Sequence, residues 1–277
     1  MDKKVTVVYM TASDPCRRSE ALNYQWAVHQ NHLPIFAYFE DVYEEYTSNY
    51  TKSRWGEQKT IDYMVSVIRE KKPTVIVSHD LNGEYGHGNH IFTSQCLLQA
   101  VVLANDPEYH QESYEAYGTH EVKKVYLHLY EENTIHLDVL DEPIEAFDNL
   151  TAIEVAQIAL EQYASQIKYQ VVRVHDDTSE FSCYNYGLAY TTVGYDAQGN
   201  DMFENTEPEP SSTPVATSTP TASPTASPAA TIYASAEPGQ ENFLNLSKKT
   251  SLIICIAAGI ICLACIFLIV SLVKKKS

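Results

Sequence analysis

The sequence predicts an α/β fold built on a Rossmann-like, mostly parallel sheet. Short runs rich in β-branched residues, such as VTVVYM at residues 5–10, are typical of strands buried on both faces. They alternate with longer amphipathic segments, such as residues 57–73. A glycine-rich polar loop, SHDLNGEYGHGNH at residues 78–90, follows one strand and precedes a helix. This alternation indicates βαβ units, whose ligands bind beyond the carboxyl ends of the strands.

The first half of the chain supplies three of the predicted strands. After the first strand, a helix carries Leu22, Trp26 and His29 on one face. Residues 33–39 form the second strand, and residues 74–79 form the third, directly after a proline that ends the preceding helix. The histidine-bearing loop therefore lies at the carboxyl end of the third strand, where a site is expected in this class of sheet.

The second half of the predicted domain continues the alternation. Residues 90–105 form a helix, residues 122–130 a strand, and residues 151–167 a second helix. Residues 169–175 are a candidate fifth strand. The segment at residues 184–196 is rich in Tyr and Gly, and we expect it to form a late loop or hairpin.

Composition divides the chain into four parts. A Pro-, Ser-, Thr- and Ala-rich stretch cannot bury enough apolar surface to offset its ordering entropy, so it is expected to be a disordered linker. The 22 residues after it, 252–273, carry no charge. As a helix they would reach about 33 Å and span a bilayer, and they lack the polar face of a buried globular helix. The predicted parts are a domain at 1–205, a linker at 206–249, a transmembrane helix at 250–273 and a basic tail at 274–277.

The charge and cysteine content exclude two classes of function. Acidic residues outnumber Lys and Arg by 36 to 19, which gives a net charge of −17. Nucleic acid is excluded as a partner, because phosphate binding requires clustered basic residues and the sequence has no such stripe. The three cysteines of the predicted domain, Cys16, Cys96 and Cys183, are too far apart to suggest a disulfide framework or a zinc finger.

Two histidines three residues apart, His87 and His90, make the loop a candidate metal site. Imidazole is a common zinc ligand, and residues at this spacing near the start of a helix can line one cavity. Gly83, Gly86 and Gly88 would permit a tight turn and the close approach of a substrate. The alternative explanation of the spacing is a surface loop that carries histidines by chance.

The string from strand through loop to helix resembles the second signature of the PIG-L/LmbE-like zinc-dependent N-deacetylases, which runs Gly-x-x-Gly-His-x-x-His. Four other segments agree with that family in their order: VTVVYMTASD, KKVYLHLYEENTIHLDV, TAIEVAQIALEQYASQ and YGLAYTTVGYDAQGNDMFENT. Tyr163 stands near where the family usually has a histidine. The resemblance covers about residues 4–205, and the histidine loop is its most specific part.

The resemblance implies the removal of an N-acetyl group from an N-acetylglucosamine-type sugar or glycoconjugate by zinc-assisted hydrolysis. It implies that His90 is a ligand of the zinc ion. It also implies that His87 polarises the amide carbonyl and, as an imidazolium, stabilises the oxyanion. Arg18, with Arg17 as the alternative, corresponds loosely to a substrate-binding arginine.

The sequence departs from the family pattern at its first signature. His-Pro-Asp-Asp, which gives the family two zinc ligands and a general base, has no counterpart upstream of the loop. VHDD at residues 174–177 lies too late in the chain, and we interpret it as an acidic turn after a strand. We therefore expect an N-terminally shortened version of a longer protein, whose missing part would hold the first strand, the other zinc ligands and any export signal.

The lysines around the apolar segment predict its orientation in the lipid bilayer. Three lysines follow the predicted membrane helix and two precede it, so the positive-inside bias places the tail in the cytoplasm and the domain outside. A tail-anchored protein whose domain faces the cytosol is the alternative.

Three functions are compatible with these patterns. The first is a surface-anchored zinc deacetylase of N-acetylated sugars. The second is a non-catalytic carbohydrate-binding relative, in which Trp26, Trp55 and some of the 20 tyrosines stack on sugar rings rather than pack in the core. The third is an inactive fragment.

Overall fold

The computed structural model describes residues 4–11, 14–30, 32–42, 47–166 and 185–207. Several predicted features lie outside these ranges: the candidate fifth strand at 169–175, the VHDD string, the linker and the apolar segment at 250–273. Within the described ranges, no helix combines the length and the apolar character that crossing a membrane requires.

Strands and helices alternate through the described residues, so the mixed α/β class is confirmed. The first elements are β1 (Val8–Thr11), α1 (Pro15–Ala27), β2 (Ile35–Phe39), α2 (Ser48–Trp55), α3 (Glu57–Lys71), β3 (Val75–Ser78), α4 (Gly88–Leu103) and α5 (Gln111–Tyr117). They are followed by β4 (Lys124–His128), β5 (Thr134–Ile135), β6 (Pro143–Ile144), β7 (Leu150–Thr151), α6 (Ala152–Leu160) and β8 (Tyr186–Thr191). The short elements α2, α5 and β5 to β7 were not predicted.

The strands form three separate sheets in the part of the chain that the structure describes. β1 pairs in parallel with β2, and β3 pairs in parallel with β4. β8 lies between β4 and β5 and is antiparallel to both, while β6 and β7 form a small antiparallel pair. The prediction of a mostly parallel sheet is therefore wrong for the order β3–β4–β8–β5, where only β3–β4 is parallel. The segment predicted as a late loop or hairpin, residues 184–196, contains the internal strand β8.

Helices cover both faces of the four-stranded sheet. Val125 and Leu127 of β4 join an apolar cluster with α2, α3 and α4. Tyr126, between them, joins a second cluster with α1 and α6. All three side chains are fully buried, as expected of alternating residues on a strand that is covered on both sides. This packing fixes the direction of the side chains at the two ends of β4.

The buried face of α1 differs from the face that the sequence suggested. Trp26 is 83% exposed and Leu22 is 39% exposed, whereas Tyr24 is fully buried. Tyr24 lies against Tyr163 near the end of α6, with ring centroids 5.7 Å apart. The Glu20 carboxylate, next on the same face, accepts hydrogen bonds from the backbone N–H and the hydroxyl of a serine after α6, at 2.7 and 2.8 Å. Hydrogen bonds and aromatic contacts, rather than an apolar stripe, therefore orient α1.

A buried arginine fixes the position of α4. Arg69 of α3 is fully buried, and its guanidinium donates to the carbonyls of Leu103, Ala104 and Asp106 at 3.3, 3.1 and 2.6 Å. The last carbonyls of a helix have no partner within the helix, so this arginine satisfies groups that would otherwise be unpaired. The hydrogen bonds of Arg69 therefore fix the carboxyl end of α4, and the amino end of the same helix carries the predicted site.

Candidate functional site

The loop between β3 and α4 favours glycine at all three predicted positions, for two different reasons. Gly83 has φ +69°, and a Cβ there would lie 2.7 Å from Cγ1 of Ile91. A Cβ on Gly88 would lie 2.4 Å from the carbonyl oxygen of Thr47, just before α2. Gly86 has φ +75° but open space around it. The glycines thus permit left-handed backbone and close contact within the loop and with α2.

A single buried carboxylate organises the histidines. Glu84 is 2% exposed, and its Oε2 lies 2.9 Å from Nδ1 of His79 and 2.5 Å from Nδ1 of His90. Its Oε1 lies 2.9 Å from Nδ1 of His128, at the end of β4, and accepts the backbone N–H of Asp80 at 3.1 Å. Residues from β3, β4 and α4 therefore meet at one side chain.

The surroundings of Glu84 favour its ionised form. Burial alone would raise the pKa of the carboxyl group. The charges of His79 and His90, with hydrogen bonds from His128 and His79, outweigh burial and hold the pKa well below its usual value. Hydrogen bonds to a carboxylate stabilise the charged state, so Glu84 is a buried anion at neutral pH.

His87 is the residue that precedes the first turn of α4, and its ring faces a different partner. Its Nδ1 accepts the backbone N–H of Asn89 at 3.2 Å, so the ring proton lies on Nε2. Burial, followed by the charges of His90 and His79, lowers the pKa of His87 to about 3. This lowered pKa favours a neutral imidazole for His87 at pH 7, whereas the resemblance implied an imidazolium, and the role of His87 stays a prediction.

His90 lies in the first turn of α4, between His87 and His79. Its ring stacks on that of His79 with centroids 4.0 Å apart, and the centroid of His87 is 4.9 Å away. Burial and the charge of His79 lower the pKa of His90, although Glu84 acts in the opposite direction. A neutral imidazole retains a lone pair, which a metal ligand needs.

The residues present fit a divalent metal ion in their chemistry. His79, Glu84 and His90 each bring one possible ligand atom, and these atoms all lie within 4.8 Å of one another. Two imidazole nitrogens and a carboxylate oxygen are a donor set that catalytic zinc sites use. Glu84 is placed to act either as a ligand or as the group that orients the imidazoles.

A second carboxylate lies on the β2 side of the site. Asp41, just after β2, accepts a hydrogen bond from Nδ2 of Asn89 at 3.1 Å, and Oδ1 of Asn89 accepts one from Thr51 at 3.0 Å. Asp41 is exposed at the surface, but the protein atoms packed around its carboxyl group desolvate it and raise its pKa, while the charges of Arg17 and His90 act to lower it. Charges on both the histidine loop and α1 therefore act on the carboxyl group of Asp41.

The two arginines considered for substrate binding occupy different surroundings. Arg18 donates to the hydroxyl of Tyr38 at 2.8 Å and lies over its ring, on an exposed surface. Arg17 donates to Glu20 at 3.3 Å and lies over the ring of Tyr163, and its buried Nη2 makes no hydrogen bond within the described part of the chain. Of the two, Arg17 is the one whose charge acts on Asp41.

The sequence located the histidine loop but missed two members of the site. It did not single out His128 or Asp41. Both stand where a strand ends: His128 is the last residue of β4, and Asp41 follows β2. Because β3 and β4 are parallel with Ser78 opposite Leu127, the residues after them are neighbours. The rule that ligands bind beyond the carboxyl ends of parallel strands, applied to every strand, could have found both.

Comparison with known proteins shows a partial similarity to N-deacetylases. No family model matches the chain. A 1D-myo-inositol 2-acetamido-2-deoxy-alpha-D-glucopyranoside deacetylase of Geodermatophilus obscurus is 40% identical over 68 residues, which are 24% of this chain and 22% of that protein. The protein of the same name from Streptomyces griseus is 41% identical over 64 residues, which are 23% of this chain and 18% of that protein. The protein called deacetylase 2 from Saccharopolyspora erythraea is 35% identical over 88 residues, which are 32% of this chain and 31% of that protein. The chain thus matches less than a third of the length of each of these relatives.

Proposed function

We propose that the chain is a PIG-L/LmbE-like hydrolase that removes N-acetyl groups from N-acetylglucosamine-type sugars with the help of a zinc ion. The observation that carries the proposal is the pair His87 and His90, buried beyond β3 with ring centroids 4.9 Å apart. The partial similarity to deacetylases whose names specify a 2-acetamido-2-deoxy-glucopyranoside supports the reaction and the class of sugar.

The two histidines have separate roles in this proposal. A zinc ion, when bound, supplies an activated water and polarises the amide carbonyl. His90 is one of its ligands. His87 donates its Nε2–H to the carbonyl oxygen of the substrate, and this neutral donor stabilises the oxyanion through a hydrogen bond. Since both rings are buried, the low local dielectric strengthens that hydrogen bond.

The substrate-binding arginine is assigned less sharply. Arg18 stays a prediction from the resemblance. Arg17 is supported by its charge acting on Asp41, beside the histidine loop, and by a buried Nη2 that has no hydrogen-bond partner among the residues that the structure describes. A sugar hydroxyl that accepts a hydrogen bond from Nη2 would satisfy this group.

The membrane anchor and the finer fold are also proposals. The uncharged stretch at 252–273 supports a single C-terminal span, with the domain outside and the tail-anchored cytosolic orientation as the alternative. Helices on both faces of the sheet, with the parallel pairs β1–β2 and β3–β4, support a Rossmann-like arrangement.

One observation favours the second candidate function, a non-catalytic carbohydrate-binding relative. Trp26 is 83% exposed, so its ring is available to stack on a sugar, and Tyr38 is 59% exposed although Arg18 lies over one face of its ring. Trp55, in contrast, is 2% exposed and packs against Phe39 and Phe92, which is the role of a core residue.

The test measures zinc content and acetate release for the full chain, with an N-acetylglucosaminyl-inositol as substrate. His87→Ala should retain zinc but lose roughly 10²- to 10³-fold in rate, because a donor to the oxyanion is removed. His90→Ala should lose zinc as well as activity. His32→Ala, on an exposed loop, is the matched control and should change neither quantity.

Other outcomes separate the alternatives. Sugar binding without acetate release would favour the carbohydrate-binding relative, and neither binding nor release would favour the inactive fragment. Undiminished acetate release in both His87→Ala and His90→Ala would refute the roles proposed for these residues.

A further inference from the structure

We propose that Glu84 is a positioning residue that fixes the tautomers of His79, His90 and His128, so that His90 offers Nε2, and not Nδ1, to a divalent metal ion. The identity of the ion rests on the proposed function. The tautomers themselves follow from contacts within the chain.

The hydrogen-bond capacity of a carboxylate limits what Glu84 can do. An ionised carboxylate only accepts hydrogen bonds and has about four lone-pair sites. Oε2 of Glu84 faces Nδ1 of His79 and of His90, and Oε1 faces Nδ1 of His128 and the backbone N–H of Asp80. All four sites are therefore in use. Since the carboxylate cannot donate, each of the three Nδ1 atoms must carry the proton.

The position of that proton decides which nitrogen can bind a metal. A neutral imidazole protonated on Nδ1 has its lone pair on Nε2. A ligand histidine whose other nitrogen donates to a carboxylate is a frequent arrangement behind protein metal ions, where it fixes the ring and raises the basicity of the ligand. Glu84 and His90 have this arrangement, at 2.5 Å. The four hydrogen bonds occupy all lone-pair sites of Glu84, so Glu84 does not bind the ion directly. Its Oε2 lies close to Nδ1 of His79 and His90 because it accepts their protons in hydrogen bonds.

Burial makes the arrangement rigid. Glu84 is 2% exposed and His128 is 1% exposed, so bulk water has little access to replace these hydrogen bonds. The partners also come from separate elements: His79 follows β3, His128 ends β4, and His90 is in α4. The carboxylate therefore holds three imidazoles in one orientation and connects the two parallel strands to the helix that carries the ligand.

His87 provides an internal reference with the opposite tautomer. Its Nδ1 accepts the backbone N–H of Asn89 at 3.2 Å, whereas the Nδ1 atoms of the other three histidines face the Glu84 carboxylate. Its proton consequently lies on Nε2. Two histidines three residues apart are thus expected to differ in tautomer, because one faces an acceptor and the other faces a donor.

The first experiment needs no variant. The full chain, with ¹⁵N-labelled histidines and freed of metal by a chelator, is examined at pH 7.5 by two-bond ¹H–¹⁵N correlation NMR. We expect protonated Nδ1 in His79, His90 and His128, and protonated Nε2 in His87. A proton on Nε2 of His90 would overturn the proposal. Because no substrate or ion is present, the result is independent of acetate release.

The second experiment identifies the bonded nitrogen. ¹¹³Cd²⁺ replaces zinc in the labelled chain, and the coupling between cadmium and ¹⁵N is measured for His90. Coupling to Nε2 supports the proposal, and coupling to Nδ1 overturns it. Absence of any cadmium binding would refute the metal role of His90 in the proposed function, and the tautomers would then be judged from the first experiment alone.

The third experiment changes the carboxylate. In Glu84→Gln the amide nitrogen becomes a donor, so at least one facing imidazole should move its proton to Nε2, and zinc affinity should fall about 10- to 100-fold. Glu204→Gln is the matched control, since Glu204 also accepts several N–H groups but lies by Lys124, at the other end of β4. Unchanged tautomers in Glu84→Gln, or the same loss of affinity in Glu204→Gln, would contradict the assignment.

Discussion

β4 has a buried ionisable cluster at each of its ends, and the two clusters are built differently. At the amino end, the ammonium group of Lys124 is paired with the carboxylate of Asp196, and both side chains are fully buried. Tyr126 donates to the same carboxylate at 2.6 Å. At the carboxyl end, Glu84 faces the imidazoles of His79, His90 and His128 instead of a fixed cation.

The difference separates a structural cluster from a reactive one. The ammonium group of Lys124 and the carboxylate of Asp196 neutralise each other, and burial, together with the hydrogen bond to Asp196, raises the pKa of Tyr126 above its usual value, so this tyrosine keeps its proton near pH 7. The histidine cluster has imidazoles whose lone pairs and protons can be exchanged with a metal ion or a substrate. Perturbed groups that collect beyond the ends of parallel strands are candidates for function.

The largest expected effect concerns the amino end. Asp196→Ala leaves Lys124 buried without its partner, which should lower the free energy of unfolding by about 3–5 kcal/mol, because an uncompensated charge is costly in the interior. Urea unfolding at pH 7 measures this change. Lys124→Met combined with Asp196→Ala should recover part of the loss. A cost below about 1 kcal/mol for the single variant would mean that the ion pair contributes little.

The next effect is a pH dependence at the carboxyl end. The pKa of His87 is about 3 in the folded chain and about 6.5 when unfolded, so between these values the unfolded chain binds the extra proton. The contribution of His87 to the free energy of unfolding is therefore fully present above pH 6.5 and decreases as the pH falls towards 3. Well inside that range the loss is about 1.4 kcal/mol per pH unit. Urea unfolding of the metal-free chain at pH 7 and pH 5 measures it.

The control for this pH dependence is His87→Gln, which removes the titrating ring and should flatten the dependence by about 2 kcal/mol over the same interval. If the wild type and His87→Gln lose equal stability on acidification, His87 is not held neutral in the folded chain.

A smaller effect should distinguish two glycines of similar conformation. Gly83, in the histidine loop, and Gly118, after α5, have φ of +69° and +71°, so alanine is strained at both. At Gly83 a Cβ also meets Ile91 and the His87 carbonyl at 2.7 and 2.8 Å, whereas at Gly118 it meets nothing within 4 Å. Gly83→Ala should cost more than Gly118→Ala, by about 1 kcal/mol or more in thermal or urea unfolding. Equal costs would show that the loop is not tightly packed.

The smallest expected effect concerns the buried Cys96, which should not react with an alkylating reagent in the folded chain. Cys96, on the buried side of α4, has its thiol pKa raised to about 12 by burial, whereas Cys16 in α1 is exposed. Iodoacetamide at pH 8 should modify Cys16 and leave Cys96 intact until the chain unfolds, because only the thiolate reacts. Peptide mapping by mass spectrometry checks both sites. Modification of Cys96 in the folded chain would show that the helix behind the histidine cluster opens readily.

The sequence predicted features that depend on residues close together in the chain. The alternation of β-branched runs with amphipathic segments predicted β1 to β4 and the helices α1, α3, α4 and α6, because periodicity is a local property. The loop glycines and the histidines at 87 and 90 were located for the same reason. Short elements such as α2 and β5 carry too few residues for a periodic signal.

Features that depend on distant residues were missed. The buried face of α1 is set by hydrogen bonds and ring contacts with the region after α6, which no hydrophobic pattern records. The direction of β8 is a matter of pairing, since a strand has the same alternation of side chains whether it is parallel or antiparallel. The segment that contains β8 was predicted as a late loop or hairpin, and neither its place inside the sheet nor its antiparallel pairing with β4 was expected.

The sequence by itself determined that two histidines stand at the end of a buried strand, before a helix. Only the tertiary structure decided what they face. Glu84 meets His128 across 44 residues of chain, and Lys124 meets Asp196 across 72. The first contact arises from the register of β3 on β4, and the second from the antiparallel pairing of β4 with β8. Sequence reasoning misses both because tautomer, charge and burial depend on neighbours in space.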